Sequence, residues 1–359
     1  MTHVLEGADL TSRERVLKAL SIHAPDKVPV TLSFYPTALP QTGGKDADER
    51  LGTDVRYVEF DPPAEQDKFL DYLESLPAHT TVGDLRTLRT YFEWGYHPEK
   101  TGPEPLAKAR TIDDLRSFNF PNLLEERRHR RLTEKVRELQ SRGSAVAGLP
   151  PHMGGEVFES AQRLRGFEQL MSDFFRNPEL VDYLFSQLAS IASQSVSILA
   201  SAGVDIICLD DDVGEPCRMM ISPSLWRRFL KTPLSQIISA ARAANPEVQI
   251  LYHSDGYIEP IIVDLIEIGV NALNPVQPDV MDPARLKERY GSKLAFWGTV
   301  GTASGWAYGS PNAIETEVKE RIETVGQGGG LVLAPAYDLE PQVKWENVLA
   351  FLRAVQKYG

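Results

Sequence analysis

Cysteine is nearly absent: Cys208 and Cys217 are the only two in 359 residues. A disulfide framework is therefore excluded as the organising principle, and a reducing cytoplasm fits the composition. No apolar run approaches the roughly 20 residues needed to span a bilayer. The first nine residues lack a basic stretch followed by an apolar core, so no secretory signal is expected. An excess of positive charge is missing too. Thirty-eight basic against 50 acidic residues give a net charge of −12, which argues against nucleic acid and anionic membrane as partners. The densest basic run, Arg127-Arg128-His129-Arg130-Arg131, follows Glu125-Glu126 and reads as a solvated helix face. Two catalytic signatures are also lacking. No Gly-x-Ser-x-Gly elbow is present, which disfavours a nucleophilic serine. Gly154-Gly155 is too short for a dinucleotide-binding turn, and Gly328-Gly329-Gly330 precedes a strand instead of a helix.

What is present is a rhythm. Apolar runs end in polar residues, and helical patterns follow. Residues 145–149 lead into Pro150-Pro151-His152, 205–209 into Asp210-Asp211-Asp212, and 248–252 into His253-Ser254-Asp255-Gly256. Residues 272–273 end in Asn274, 294–296 in Trp297-Gly298-Thr299, and 331–333 in Ala334-Pro335-Ala336-Tyr337. A helix opens at Thr11-Ser12-Arg13-Glu14, and residues 27–32 read as a first strand. Asn177 and Ser222, each followed by proline, read as caps of further helices, with Pro233 placed to kink the second. Strand, polar tip and helix in repetition predict an α/β fold: a single (β/α)8 TIM-like barrel. The whole chain, 1–359, is expected to form one domain, with 51–120 as an N-terminal insertion covering one end.

Residues at the C-terminal tips of barrel strands converge on the active site. The convergent set is His152, Glu156, Asp210, Asp211, Asp212, His253, Asp255, Asn274, Gln277, Trp297 and Tyr337, with Tyr35 as a further aromatic wall. It is rich in carboxylates, holds two imidazoles and has no Lys or Arg. Crowded carboxylates must take up protons or share a cation. His253 and Asp255, two apart at a strand mouth, can share one metal or one proton. Neighbours on a strand face opposite sides, so at most two of Asp210, Asp211 and Asp212 can enter the site. Asp211 or Asp212 is preferred, with Asp210 the alternate. His253 at the centre does not suit sugar hydrolysis by paired carboxylates. Cys208 reads as inert core, and Cys217 as a loop thiol.

Several motifs, taken in order, carry a resemblance. They are Thr11-Ser12-Arg13-Glu14-Arg15-Val16-Leu17 with Asp26-Lys27-Val28-Pro29-Val30, Leu164-Arg165-Gly166-Phe167-Glu168 with Asn177-Pro178, and Ile221-Ser222-Pro223-Ser224-Leu225-Trp226. His253-Ser254-Asp255-Gly256, Asn274-Pro275-Val276-Gln277-Pro278, and Gly328-Gly329-Gly330 through Glu346-Asn347 complete the set. Together they resemble the uroporphyrinogen decarboxylase superfamily, a barrel family that includes methylcobamide:coenzyme M methyltransferases. Two departures from the family pattern stand out. No Arg lies between Arg15 and Arg50, where true decarboxylases carry an Arg-rich loop for a poly-acid substrate. The zinc methyltransferase branch carries His-x-Cys and a later Cys, whereas this chain has Asp255 at the first position and Ala336-Tyr337-Asp338 in the region of the second.

The resemblance implies a methyltransferase-like enzyme that demethylates a small methoxy or methylammonium compound. The methyl group passes to a corrinoid protein or a related acceptor. His253, Asp255, Asp211, Asp212 and Glu156 would be catalytic, with Glu156 the proton donor. Tyr35, His152, Asp210, Asn274, Gln277, Trp297 and Tyr337 would bind substrate. A divalent metal, zinc first, would sit on His253, Asp255 and Asp212. A cofactor-independent decarboxylase or lyase is the alternative, and a barrel that only binds a ligand is the non-enzymatic one. A homodimer follows from the resemblance alone.

Overall fold

The computed structural model describes residues 9–32, 47–61, 104–120, 122–301, 303–336 and 343–359. Tyr35, Tyr337 and residues 62–103 of the expected insertion lie outside these. Among the described residues the strands are β1 (Val55–Glu59), β2 (Ala145–Leu149), β3 (Ile206–Asp210), β4 (Gln249–His253), β5 (Ala272–Asn274), β6 (Ala295–Val300) and β7 (Leu331–Pro335). Their order in the sheet is their order in the chain. That sequential order is the topology of a (β/α) barrel; a doubly wound sheet reverses direction at a switch point. No described helix is long and apolar enough to cross a membrane.

The chain divides into two compact units. The first comprises Met1–Tyr57, Arg137–Ala147 and Asn271–Gly359. Its opening helix, Ser12–Leu20, starts in a capping box in which Thr11 and Glu14 satisfy each other's backbone amides. Buried Arg15 on that helix donates to Asp26 and, at 2.8 Å, to Asp54. The Arg15 guanidinium holds the Asp26 carboxyl down at about 2. Asp54 in turn accepts the Val30 amide at 2.8 Å. This anchors the segment expected as the first strand, which forms a single parallel bridge from Val30 to Leu333 of β7. β5, β6 and β7 pair in parallel, with Leu273 beside Phe296 and Trp297 beside Val332. Every residue of the three is buried, as expected for a parallel sheet covered on both faces.

The second unit comprises Val58–Val136 and Gly148–Val270. β3 and β4 pair in parallel, and their register sets Asp210 against His253. The 25-residue helix Pro178–Ala202 ends at Gly203 in a left-handed conformation (φ 92°), which glycine adopts without a steric penalty. Arg165 and Asp173, each about 1% exposed, form a buried ion pair at 2.7 Å that ties the helix Phe158–Arg165 to Phe167–Arg176.

Four expectations need correction. Residues 55–59, inside the segment expected as an insertion, form β1 of the sheet, with Val55 and Val58 both buried. Asn177 does not cap its helix through its side chain, since its amide nitrogen donates to Asp173 instead. Pro233 kinks nothing. The chain breaks between Pro223–Phe229 and Lys231–Ala244, and Pro233 stands in the first turn of the second helix, where no intrahelical N–H is needed. Within the basic run, Arg128 is buried and donates to the Asp61 carbonyl at 2.8 Å.

Candidate active site

In the second unit the acidic run lies at the end of β3 and the His-Ser-Asp-Gly segment at the end of β4. Extended backbone sends alternate side chains to opposite sides. Asp210 and Asp212 fall on one side with His253, and a carboxylate oxygen of each and a ring nitrogen all lie within 4.8 Å of one another. Asp212 Oδ1 is 3.8 Å and Asp255 Oδ1 3.9 Å from His253 Nε2. These are electrostatic contacts, beyond hydrogen-bond reach. The Asp255 amide donates to Asp212 Oδ1 at 2.6 Å, which joins the two loops. Gly256 (φ 78°) and Gly214 allow them to approach, for a Cβ on Gly214 would stand 2.4 Å from the Asp255 carbonyl.

Asp211 faces the other way. Its two oxygens accept the Phe158 and Glu159 amides, both at 2.9 Å. It therefore satisfies the amino end of the helix Phe158–Arg165, whose own leading residue Val157 offers no side-chain cap. The Tyr252 hydroxyl holds the Asp211 carbonyl at 3.0 Å. Of the two preferred acids, then, Asp212 joins His253 and Asp211 braces the scaffold. Asp210, the alternate, completes the close set.

Glu156 is bonded to the same strand end. Its amide donates to the Asp210 carbonyl at 2.9 Å, and the Asp210 amide donates to Glu156 Oε2 at 2.6 Å. Glu156 Oε1 is buried with no hydrogen-bond partner. Burial, and then the charges of Asp210 and Asp211, push the Glu156 carboxyl well above its ordinary range, which favours its protonated form. Burial pushes Asp211 up to about 7 against the pull of its two amides. Burial and the Asp212 and Asp211 charges push Glu159 up to about 8. Burial, then the charges of Arg163 and His253, lower His152 to about 4, and its Nδ1 is buried without a partner.

Two residues here escaped the sequence reading. Glu159 accepts the Asp212 amide at 3.2 Å. Arg163 packs against Gly154 (φ 97°), where a Cβ would meet its Nε at 2.6 Å. The expectation of a site without Lys or Arg is thereby corrected. The available signal was helical spacing, since Glu156, Glu159 and Arg163 recur at three and four residues.

In the first unit Asn274 donates from Nδ2 to the Trp297 carbonyl at 2.9 Å. Asn274, Gln277 and Trp297 are all buried, and Trp297 Nε1 has no partner. Thr299, also missed, has φ 73°, and Val276 has φ 51°. For β-branched residues such left-handed backbone is strained, at about 1–3 kcal/mol each.

The fold and these strand-end groups define a class: an α/β protein of barrel topology with an acid-and-imidazole centre at the carboxyl ends of its strands. Residues 94–358 match the family described as uroporphyrinogen decarboxylase (URO-D), and the chain belongs to that family. The methylcobamide:CoM methyltransferase MtaA of Methanosarcina barkeri is 26% identical over 179 residues, 49% of each chain. The chain thus spans about half the length of that relative. The uroporphyrinogen decarboxylase of Idiomarina loihiensis is 23% identical over 290 residues, 78% of this chain and 75% of that one. Both names are those of enzymes. A solved methyltransferase from Methanosarcina mazei shares the fold with a TM-score of 0.62 at 21% identity, covering 98% of this chain and 99% of that one.

Proposed function

We propose that this protein is a methyltransferase-type enzyme. It takes a methyl group from a small methoxy or methylammonium compound and passes it to a corrinoid protein or a related acceptor. The observation that carries this reading is the close set of Asp210, Asp212 and His253. Two carboxylates around one imidazole attract a divalent cation or a cationic methylammonium and repel a substrate with many carboxylates. The similarity to the Methanosarcina barkeri methyltransferase supports it.

The donor chemistry fits a divalent metal, zinc first and then manganese or iron. His253 and Asp212 would hold it with Asp210, and Asp255 is the alternative third ligand. A metal bound there supplies Lewis-acid activation of the methyl acceptor or donor. The remaining roles belong to side chains. Glu156, whose protonated form burial favours, gives its proton to the methoxy oxygen as that oxygen leaves with the bonding electron pair. Within the second unit, substrate contact is assigned to His152. Residues 27–32 are read as the strand that brings the barrel to eight. A cytoplasmic homodimer completes the proposal.

The test is methyl transfer from a panel of methoxy and methylammonium compounds to reduced cobalamin, followed by absorbance. His253→Ala is expected to slow turnover about a hundredfold or more with the fold retained. Unchanged turnover in that variant sinks the reading.

A decarboxylase is the second reading, favoured by the longer match to the Idiomarina enzyme. An Asp would then stabilise a cationic intermediate, and His253 would protonate the carbanion left by departing CO2. Release of CO2 from a small carboxylic acid, without any corrinoid, decides for it.

A further inference from the structure

β3 ends at Asp210, so the amides that follow it need acceptors from outside the strand. Each amide of the acidic tip finds one within the second unit. The Asp210 amide donates to Glu156 Oε2 at 2.6 Å, and the Asp212 amide to Glu159 Oε2 at 3.2 Å. The Asp211 amide donates to the His253 carbonyl at 3.2 Å, and the Val213 amide to Ser254 Oγ at 3.1 Å. Successive amides of extended backbone point to opposite edges. Two glutamates therefore hold one edge of the tip, and the end of β4 holds the other.

Glu156 grips the last residue of the strand, whereas Glu159 grips Asp212, two residues beyond it. Glu159 is itself held by the segment it binds. Its amide donates to Asp211 Oδ1 at 2.9 Å while its carboxylate takes the Asp212 amide. This ring of two hydrogen bonds fastens the main chain of Asp212 to the first turn of the helix Phe158–Arg165. The Asp212 side chain is fixed from the other loop, since its Oδ1 accepts the Asp255 amide at 2.6 Å. Held at both points, Asp212 Oδ1 stands 3.8 Å from His253 Nε2.

Glu159 does not belong to the close set of ligand atoms. Among the described residues, Asp210, Asp212 and His253 supply that set. Any influence of Glu159 on a cation there passes through Asp212. The length of the side chain is then what matters, for an aspartate at 159 would stop one methylene short of the Asp212 amide.

We propose that Glu159 is a positioning residue: by holding the Asp212 amide, it sets the Asp212 carboxylate against His253 and so raises the affinity of this centre for a divalent cation. The proposal deepens the reading of Asp210, Asp212 and His253 as a cation centre and rests on it for the ligand.

The test uses the full chain at one pH. Zinc and manganese are titrated by calorimetry, and the His253 imidazole ¹H–¹⁵N resonances, assigned through His253→Asn, are recorded on metal-free protein. Glu159→Ala and Glu159→Asp are expected to weaken metal binding about tenfold or more and to move the His253 resonances. Glu159→Gln keeps an acceptor oxygen at the native reach and should match the parent chain in both readouts. The Asp variant keeps the carboxyl group and loses the reach, so it separates placement from the mere presence of an acid. It also decides the matter should the Ala variant fail to fold. Parent-like affinity and resonances in Glu159→Asp overturn the proposal, and so does a Gln variant as weak as the Asp variant. If the parent chain binds neither metal, the cation-centre reading falls, and the metal-free resonances still judge Glu159. Displacement in the Asp variant but not in the Gln variant keeps its hold on Asp212, and no displacement removes it.

Discussion

Glu156 and Asp210 exchange two hydrogen bonds: the Glu156 amide donates to the Asp210 carbonyl and the Asp210 amide to the Glu156 carboxyl. The ring locks the loop after β2 onto the tip of β3, and it leaves one buried carboxyl oxygen unmatched. Because burial favours the uncharged form of that carboxyl, Glu156→Gln should keep the acceptor for the Asp210 amide and the stability of the native chain. Glu156→Ala should lose about 1–3 kcal/mol by orphaning that amide. Urea unfolding of the two variants distinguishes them, and comparable losses in both would show that Glu156 is charged in the folded state.

Stability should fall as pH rises through neutrality. Asp211 and Glu159 titrate at about 7 and about 8 when folded, against roughly 3.9 and 4.3 in an unfolded chain. The native state therefore binds more protons than the unfolded one across that window. Their contribution is fully present below the unfolded values and is lost as pH climbs through the folded ones, on the order of a few kcal/mol in all. Asp26, lowered by Arg15, acts in the opposite sense below about pH 4, and His152, lowered by burial from 6.5 to about 4, does so up to about pH 6.5. Denaturant midpoints measured from pH 6.5, above which the His152 effect fades, up to about pH 9 should decline, with a shallower slope in Glu159→Gln. A flat profile contradicts the burial argument.

Gly155 is a contact point as well as a loop residue. A Cβ there would lie 2.5 Å from Asp211 Oδ1 and 2.6 Å from the Asp210 carbonyl. Gly155→Ala should destabilise by about 1–3 kcal/mol and displace the β3 tip. A melting temperature matching the parent chain would show that the loop has room to give.

The two acids flanking His253 should separate in a metal titration. Asp210→Asn should lower bound zinc or manganese, measured by elemental analysis after dialysis, by 10-fold or more, about the scale of lost ligand-shell contacts. Asp255→Asn, at a half-exposed carboxylate, should change it little. The reverse order would return the third ligand to Asp255.

Arg165→Ala should be among the most damaging changes away from the site, at about 3–5 kcal/mol, because it strands the buried Asp173 charge. Asp173 also gathers Gln169 and Asn177 at 2.8 Å each. Replacing Arg165 and Asp173 together by apolar residues should therefore recover only part of the loss in chemical unfolding. Full recovery would mean that Gln169 and Asn177 contribute nothing through this carboxylate.

Much of the architecture was legible in the chain itself. Continuous apolar runs that stop at Asp210, His253, Asn274 and Trp297 belong to buried parallel strands, and period and punctuation are local properties. Proline and glycine bracketed most helices for the same reason. Pro233 and Asn177 were misread because a helix break and a side-chain partner depend on what packs alongside.

The sequence alone determined that carboxylates and imidazoles would gather at strand ends, since alternation and strand length are written residue by residue. It also narrowed the acidic run to two members on one side. Only the tertiary structure decided that Asp211 braces the helix Phe158–Arg165 while Asp210 and Asp212 meet His253. The partners involved lie 40 to 55 positions apart in the chain, and no local pattern reports such a distance. The upward push on the Glu156 carboxyl and the placing of Arg163 beside Gly154 arise the same way, because desolvation belongs to the folded surroundings and not to the residue.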